Sequence, residues 1–119
     1  MGRRSRRRAK GQDSPPAATT EYEDDGGNVL TLRDELSAGT LRSLRDLDAK
    51  PAASAEDRWQ RRAELLFERL AVRWVIADLP LEGQKELLGR YRLASSGERQ
   101  QVRETLATHL AKHHPEIEL

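Results

Sequence analysis

The middle of the chain carries apolar residues at the spacing of a helix face. Successive positions differ by four, three, four, four and three residues along the series Trp59, Ala63, Leu66, Leu70, Trp74 and Ala77. This spacing places them on one side of a helix that begins near Ser54 and ends before Leu79-Pro80. Further apolar residues widen that side in its second half. The pattern therefore predicts one long central helix that other elements must cover on several sides.

Shorter segments flank the predicted central helix. Residues 29–32, VLTL, have the composition of a short strand. Ser37 precedes a helix with leucine at every third position, and the stretch EGQKELLGRYRL predicts a third helix. Ser95 and Glu98 have capping-box spacing, which predicts a fourth helix ending near His113. The predicted fold class is mainly α: a small bundle of about four helices around one long central helix, with one short N-terminal extended segment.

The N-terminal segment, residues 1–28, is strongly charged. It combines a basic block, a proline-containing stretch and an acidic block, and Tyr22 is its single aromatic residue. Such a segment cannot offset the entropy lost on ordering, so we predict a disordered charged tail over 1–28 and a helical domain over 29–119. A basic arm can also contact a phosphate backbone. The residues for that alternative are Arg3, Arg4, Arg6, Arg7, Arg8 and Lys10.

Composition narrows the classes of function. The chain has 119 residues, with 21 basic against 20 acidic side chains, so no global field favours nucleic acid or an anionic membrane. It contains no cysteine, which excludes disulfides and thiolate metal sites. The sequence has no apolar run of about 18 residues that could span a membrane. These observations predict a cytoplasmic protein.

Candidate chemistry is sparse. His109 and His113 lie four residues apart on the predicted last helix, and Glu116 is near enough in sequence to be a third metal ligand. The stretch lacks an H-E-x-x-H core, and a helix C-terminus favours histidines through its dipole and free carbonyls. We therefore predict no catalytic residue, no cofactor and no metal ion, and a protein that is not an enzyme.

The aromatic residues suggest a surface for another protein. Three of the five aromatics lie on the predicted central helix, and the remaining elements supply few apolar residues to enclose it. Tryptophan and arginine dominate the energetics of many interfaces. The predicted partner contacts are Trp59, Phe67, Arg73 and Trp74.

A resemblance to a known family suggests which kind of protein this partner is. The stretches VLTLRDELSAGTLRSLRDL and AELLFERLAVRWVIADLPL, within residues 29–81, resemble the tail assembly chaperones of long-tailed bacteriophages of high-GC hosts. The shared pattern is an extended segment, a short helix near an S-A-G sequence, and an apolar, tryptophan-containing stretch before Leu-Pro. The resemblance implies a small, mostly helical, non-catalytic protein that binds the tape-measure protein during virion morphogenesis in the host cytoplasm.

Two alternatives remain open. A small structural protein of a phage particle or another large assembly would use the same apolar surface permanently, or would associate with itself. A nucleic-acid-binding module would instead depend on the basic arm and bind more weakly as salt rises. Presence in the purified particle identifies the first alternative, and salt-dependent DNA binding identifies the second.

Overall fold

The computed structural model describes residues 18–117 and 119, and shows a mixed fold of helices and an antiparallel sheet within them. This corrects the prediction of a mainly α bundle around one long helix. In chain order the elements are β1 (Thr19–Glu23), β2 (Val29–Arg33), α1 (Ala38–Ala49), α2 (Ala55–Leu70), β3 (Ala71–Ile76), β4 (Leu79–Glu82), α3 (Gln84–Leu93) and α4 (Ser96–His113).

The sheet presents one apolar and one mainly polar face. Its strands are antiparallel in the order β1-β2-β3-β4. One row across it joins residues that are buried or partly buried: Tyr22, Leu30, Trp74 and Leu81. The next row, on the opposite face, joins Glu21, Thr31, Arg73 and Glu82. Antiparallel sheets commonly bury one face and hydrate the other, so the helices cover the face that carries Trp74.

The predicted central helix is a helix followed by a hairpin. Helix α2 ends at Leu70, and the next six residues form β3. Ala77 and Asp78 then have φ angles of 52° and 66°, which is the pattern of a two-residue type I′ turn. Asn28 stabilises this turn, since its Oδ1 accepts a hydrogen bond from the Ala77 amide at 3.0 Å. The apolar run after Leu70 pairs with β2 and does not continue the helix.

The predicted disordered tail includes a strand. Residues Thr19–Glu23 form β1 and pair with β2, so the predicted boundary at residue 28 falls at the end of a hairpin turn. Asp24 shapes that turn because its Oδ1 accepts hydrogen bonds from the amides of Gly26 and Asn28. Tyr22 packs against the core and anchors the strand. The rest of the predicted tail, residues 1–17 with the basic arm, lies outside the described residues.

The predicted helix starts at serine are confirmed. The side chains of Ser37, Ser54 and Ser95 each accept a hydrogen bond from the backbone amide three residues on. Ser95 forms a full capping box with Glu98, whose carboxylate accepts from the Ser95 amide at 3.1 Å. Such caps satisfy amides that lack partners inside the helix. They set the first residues of α1, α2 and α4.

The core lies between the helices and the apolar face of the sheet. Helix α2 contributes the fully buried Leu66, Phe67 and Leu70. The Phe67 ring stacks on Tyr91 of α3 at 4.9 Å and meets Trp74 of β3 edge-on at 5.7 Å. These aromatic contacts join α2, α3 and the sheet in one core. Among the described helices, we find none with the length and apolar character needed to cross a bilayer.

Candidate functional site

The four residues predicted to contact a partner do not form one surface. Phe67 is fully buried and Trp74 is 5% exposed, so both belong to the core and are lost from the predicted contact surface. Arg73 is exposed on the outer face of the sheet, with its Nε 3.6 Å from Glu82 Oε2. Trp59 is partly buried at the start of α2, beneath the Arg103 guanidinium at 4.2 Å. Trp59 and Arg73 thus lie in separate regions.

A groove with an apolar floor crosses α2 between α1 and α3. Its volume is about 410 Å³, and one leucine from each helix lines it: Leu47, Leu65 and Leu88. All three are only partly buried. We call this feature the leucine groove. It forms because α1 and α3 pack on either side of α2 without meeting over these side chains, which leaves apolar surface open to solvent.

The leucine groove continues along α3. A second concave region of about 400 Å³ shares Glu68, Leu88 and Arg92 with it and reaches Gly89. Apart from its chain neighbours and the backbone of its own helix, a Cβ atom built at Gly89 would meet no heavy atom within 4 Å, so this part of the surface is open. Leu93, the last residue of α3, is 85% exposed but lines neither concave region, since it is five residues from Leu88 and lies on another side of the helix. The open apolar surface is therefore that of Leu47, Leu65 and Leu88.

Charges of both signs surround the leucine groove. Asp46, Glu64 and Glu68 line it together with Lys50, Arg61 and Arg92. Arg92 Nη2 lies 2.9 Å from Glu64 Oε1, and this hydrogen bond, with the nearby negative charge, raises the pKa of Arg92. The two side chains span α3 and α2 and fix one rim. An apolar floor between mixed charges suits a segment that is apolar on one side and charged on the other.

A buried histidine connects α4 to the start of the sheet. His109 is fully buried, with Nε2 2.7 Å from the Arg33 carbonyl oxygen and Nδ1 2.7 Å from the Tyr22 hydroxyl. A carbonyl only accepts, so Nε2 carries the proton and Nδ1 accepts from Tyr22. Burial lowers the pKa of His109 and favours this neutral form.

The set of metal-ligating groups considered from sequence, His109, His113 and Glu116, changes by one member. The structure brings Asp34, not Glu116, to His109 and His113, and we call these three residues the histidine cluster. Glu116 lies beside His114, with Oε2 3.8 Å from Nδ1. The histidines do not cap their own helix, because His109 and His114 bond the carbonyl oxygens of Arg33 and Asp34. Asp34 was missed because it follows β2, far away in sequence.

Comparisons with known proteins found no similar protein. No family model matches the chain, and neither the curated proteins nor the solved structures contain a match. The candidate sites are therefore argued from the geometry of this chain alone.

Proposed function

We propose that this chain is a non-catalytic partner-binding protein that holds a helical segment of another protein in the leucine groove. The observation that carries the proposal is the concave surface to which three helices each contribute one partly buried leucine, Leu47, Leu65 and Leu88. Binding sites are typically concave, with an apolar lining and a few polar groups that fix the orientation of the ligand.

The form of the leucine groove favours a helix over an extended peptide. Helices flank the floor on two sides and satisfy their own backbone groups, so this surface has no free strand edge to which a peptide could add. An amphipathic helix instead inserts apolar side chains at positions i, i+3 or i+4, and i+7. Full burial of one leucine side chain is worth about 1.5–3 kcal/mol, part of which offsets the entropy lost on association.

The class of partner comes from the resemblance of residues 29–81 to phage tail assembly chaperones. On this proposal, the bound segment belongs to the tape-measure protein, and binding is transient during virion morphogenesis in the host cytoplasm. Part of the tryptophan-containing stretch on which this resemblance rests forms the strand β3 in the structure. A structural protein of the particle would use the same groove permanently, and its presence in purified virions would identify that outcome.

Two exposed positions offer a matched test. Gly89→Glu places a charge at the open end of the groove beside Leu88, and Leu79→Glu places the same charge on β4, where Leu79 is 72% exposed. Neither change should lower the free energy of unfolding by more than about 0.5 kcal/mol, because both sites are exposed. Affinity for the tape-measure protein of the same genome is measured by titration calorimetry with purified components.

We expect Gly89→Glu to weaken this association at least about tenfold, which corresponds to about 1.4 kcal/mol. Leu79→Glu should leave affinity within about twofold. Equal affinities for the two variants and the wild-type chain would remove the groove from the contact surface. Binding that is lost only in Arg73→Glu would place the partner on the outer face of the sheet.

A further inference from the structure

A small cavity beside the Arg92–Glu64 ion pair is lined by arginines from two helices. Its volume is about 130 Å³. Six side chains of α2, α3 and α4 line this cavity, which we call the arginine pocket: Gln60, Glu64, Tyr91, Arg92, Arg99 and Arg103. We propose that the arginine pocket binds a phosphate group, either inorganic phosphate or the terminal group of a phosphate monoester. The pocket shares only the Arg92–Glu64 pair with the leucine groove, and the inference does not depend on the function proposed above.

The arginine pocket carries an excess of positive charge. Glu64 is the only carboxylate among its six lining residues, and its Oε1 already accepts from Arg92 Nε at 3.2 Å and Nη2 at 2.9 Å. Neither Arg99 nor Arg103 forms an ion pair with an acidic residue that the structure describes. These two arginines lie four residues apart on α4, a spacing at which like charges destabilise a helix. A phosphate group carries a charge of about −1.5 to −2 at pH 7, which matches this excess.

Two of the lining groups are held in place before any ligand binds. The Arg103 guanidinium lies over the Trp59 ring, with its Cζ 4.2 Å from the ring centroid. Tyr91 is buried and stacks on Phe67, so its ring cannot turn away from the pocket. Burial raises the pKa of Tyr91, while the nearby guanidinium groups of Arg103 and Arg99 oppose this rise, so the hydroxyl stays protonated and can donate. Groups that are already positioned lose little conformational entropy when a ligand binds.

The size and the donors of the arginine pocket favour one phosphate group. At about 30 Å³ for each water molecule, the cavity has room for about four waters, which is close to the four oxygens of a phosphate. Guanidinium groups bind phosphate oxygens through paired N–H donors. A carboxylate brings two oxygens and a single charge, so it would satisfy fewer of these donors. Gln60 and Arg92 are exposed at the rim, so the remainder of a monoester can extend into solvent.

The test titrates the full chain with three anions by calorimetry, in a buffer free of phosphate and sulfate. The anions are inorganic phosphate, the monoester glycerol 3-phosphate, and acetate as the carboxylate control. Comparison of the first two distinguishes the two sources of the phosphate group. An affinity for the monoester at least about tenfold above that for the free ion would assign the pocket to a phosphorylated ligand, and equal affinities would assign it to the free ion.

Three variants remove one guanidinium group each. Arg99→Gln and Arg103→Gln act inside the pocket, and Arg45→Gln makes the same change at an exposed position of α1 outside its lining. Arg99 is the main test, because its side chain takes no part in the stacking on Trp59 and its loss should not disturb the fold. Circular dichroism establishes that each variant has the wild-type helix content before titration.

We expect saturable binding of one phosphate group per chain, and a melting temperature that rises with phosphate concentration. Arg99→Gln and Arg103→Gln should each weaken phosphate binding at least about tenfold, because hydrogen bonds between charged groups are the strong ones. Arg45→Gln should stay within about twofold, since salt screens a distant exposed charge. The proposal is overturned if the wild-type chain shows no saturable phosphate binding, if acetate binds as tightly as phosphate, or if the three variants lose affinity equally.

Discussion

The turn between β3 and β4 provides a test whose sign distinguishes the hairpin from the long helix that the sequence pattern predicts. Ala77 has a φ of 52°, a conformation that disfavours side chains with a Cβ atom. An L residue there costs about 1–2 kcal/mol relative to an unstrained conformation. Glycine avoids that cost but loses about 0.5–1 kcal/mol more through the entropy of the unfolded chain.

The change Ala77→Gly should therefore raise the free energy of unfolding by up to about 1.5 kcal/mol, since the difference between these two terms runs from about 0 to about 1.5 kcal/mol. In a helix that ends at Ala77 the same change would bring no such gain, because an alanine in helical conformation is unstrained and glycine there is neutral or unfavourable. The amide that donates to Asn28 Oδ1 is retained in glycine, so this contact does not confuse the result.

Urea denaturation followed by circular dichroism at 222 nm measures the difference between Ala77→Gly and the wild-type chain at equal m-value. Leu79→Ala, an exposed change beyond the turn, serves as a control that should stay within about 0.5 kcal/mol. A loss of stability in Ala77→Gly would contradict the left-handed conformation at Ala77 and with it the hairpin turn.

Three further changes test the core, the buried histidine and a helix cap. Leu70→Ala should cost about 2–5 kcal/mol in urea denaturation because Leu70 is fully buried, and a cost below about 1 kcal/mol would contradict that burial. Tyr22→Phe leaves His109 Nδ1 without its donor and should cost about 1–3 kcal/mol, whereas an unchanged midpoint would show that the hydroxyl does not bond the ring. The pKa of Glu98 is lowered by hydrogen bonds from the Ser95 amide and from Arg90, so its contribution is present above the ordinary carboxyl pKa and is lost as pH falls through the lowered value. The stability gap between wild type and Glu98→Gln should accordingly be seen at pH 7 and shrink below about pH 4, and a gap that does not change with pH would contradict the charge-based account.

Helix starts could be predicted from sequence because their determinants are local. Ser37, Ser54 and Ser95 lie next to the amides they cap, and the spacing to Glu98 is visible in four residues. The end of α2 had no comparable signal. Ala71 follows Leu70 directly in an extended conformation, without a glycine or proline to mark the change.

The sequence pattern assigned the residues of β3 to a helix because their apolar positions fit the periodicity of a helix as well as that of a strand. In the stretch AVRWVI, Trp74 continues the helical spacing from Leu70, while Val72, Val75 and Ile76 are β-branched residues that favour strands. Pairing with β2 decides between the two, and pairing is a long-range property. The same dependence hid β1, since Tyr22 gains its partly buried position only from the sheet and from His109.

The candidate sites depend even more on tertiary structure. Leu47, Leu65 and Leu88 come from three helices, and sequence alone does not show that they line one groove. The pair His109 and His113 was recognisable from helical spacing, but the carboxylate that joins them, Asp34, follows a strand near the other end of the domain. Sequence patterns therefore indicated that apolar surface and histidines were present, and the fold determined what they face.

Leucine-methyl NMR of the full chain, titrated with the tape-measure segment, tests the central claim most directly. Signals from Leu47, Leu65 and Leu88 should shift or broaden together at one saturating stoichiometry, because all three line the leucine groove. The exposed Leu79 should remain unchanged as an internal control. Shifts at Leu79 and the valines of the sheet, with the three groove signals unchanged, would contradict the leucine groove as the partner-binding site.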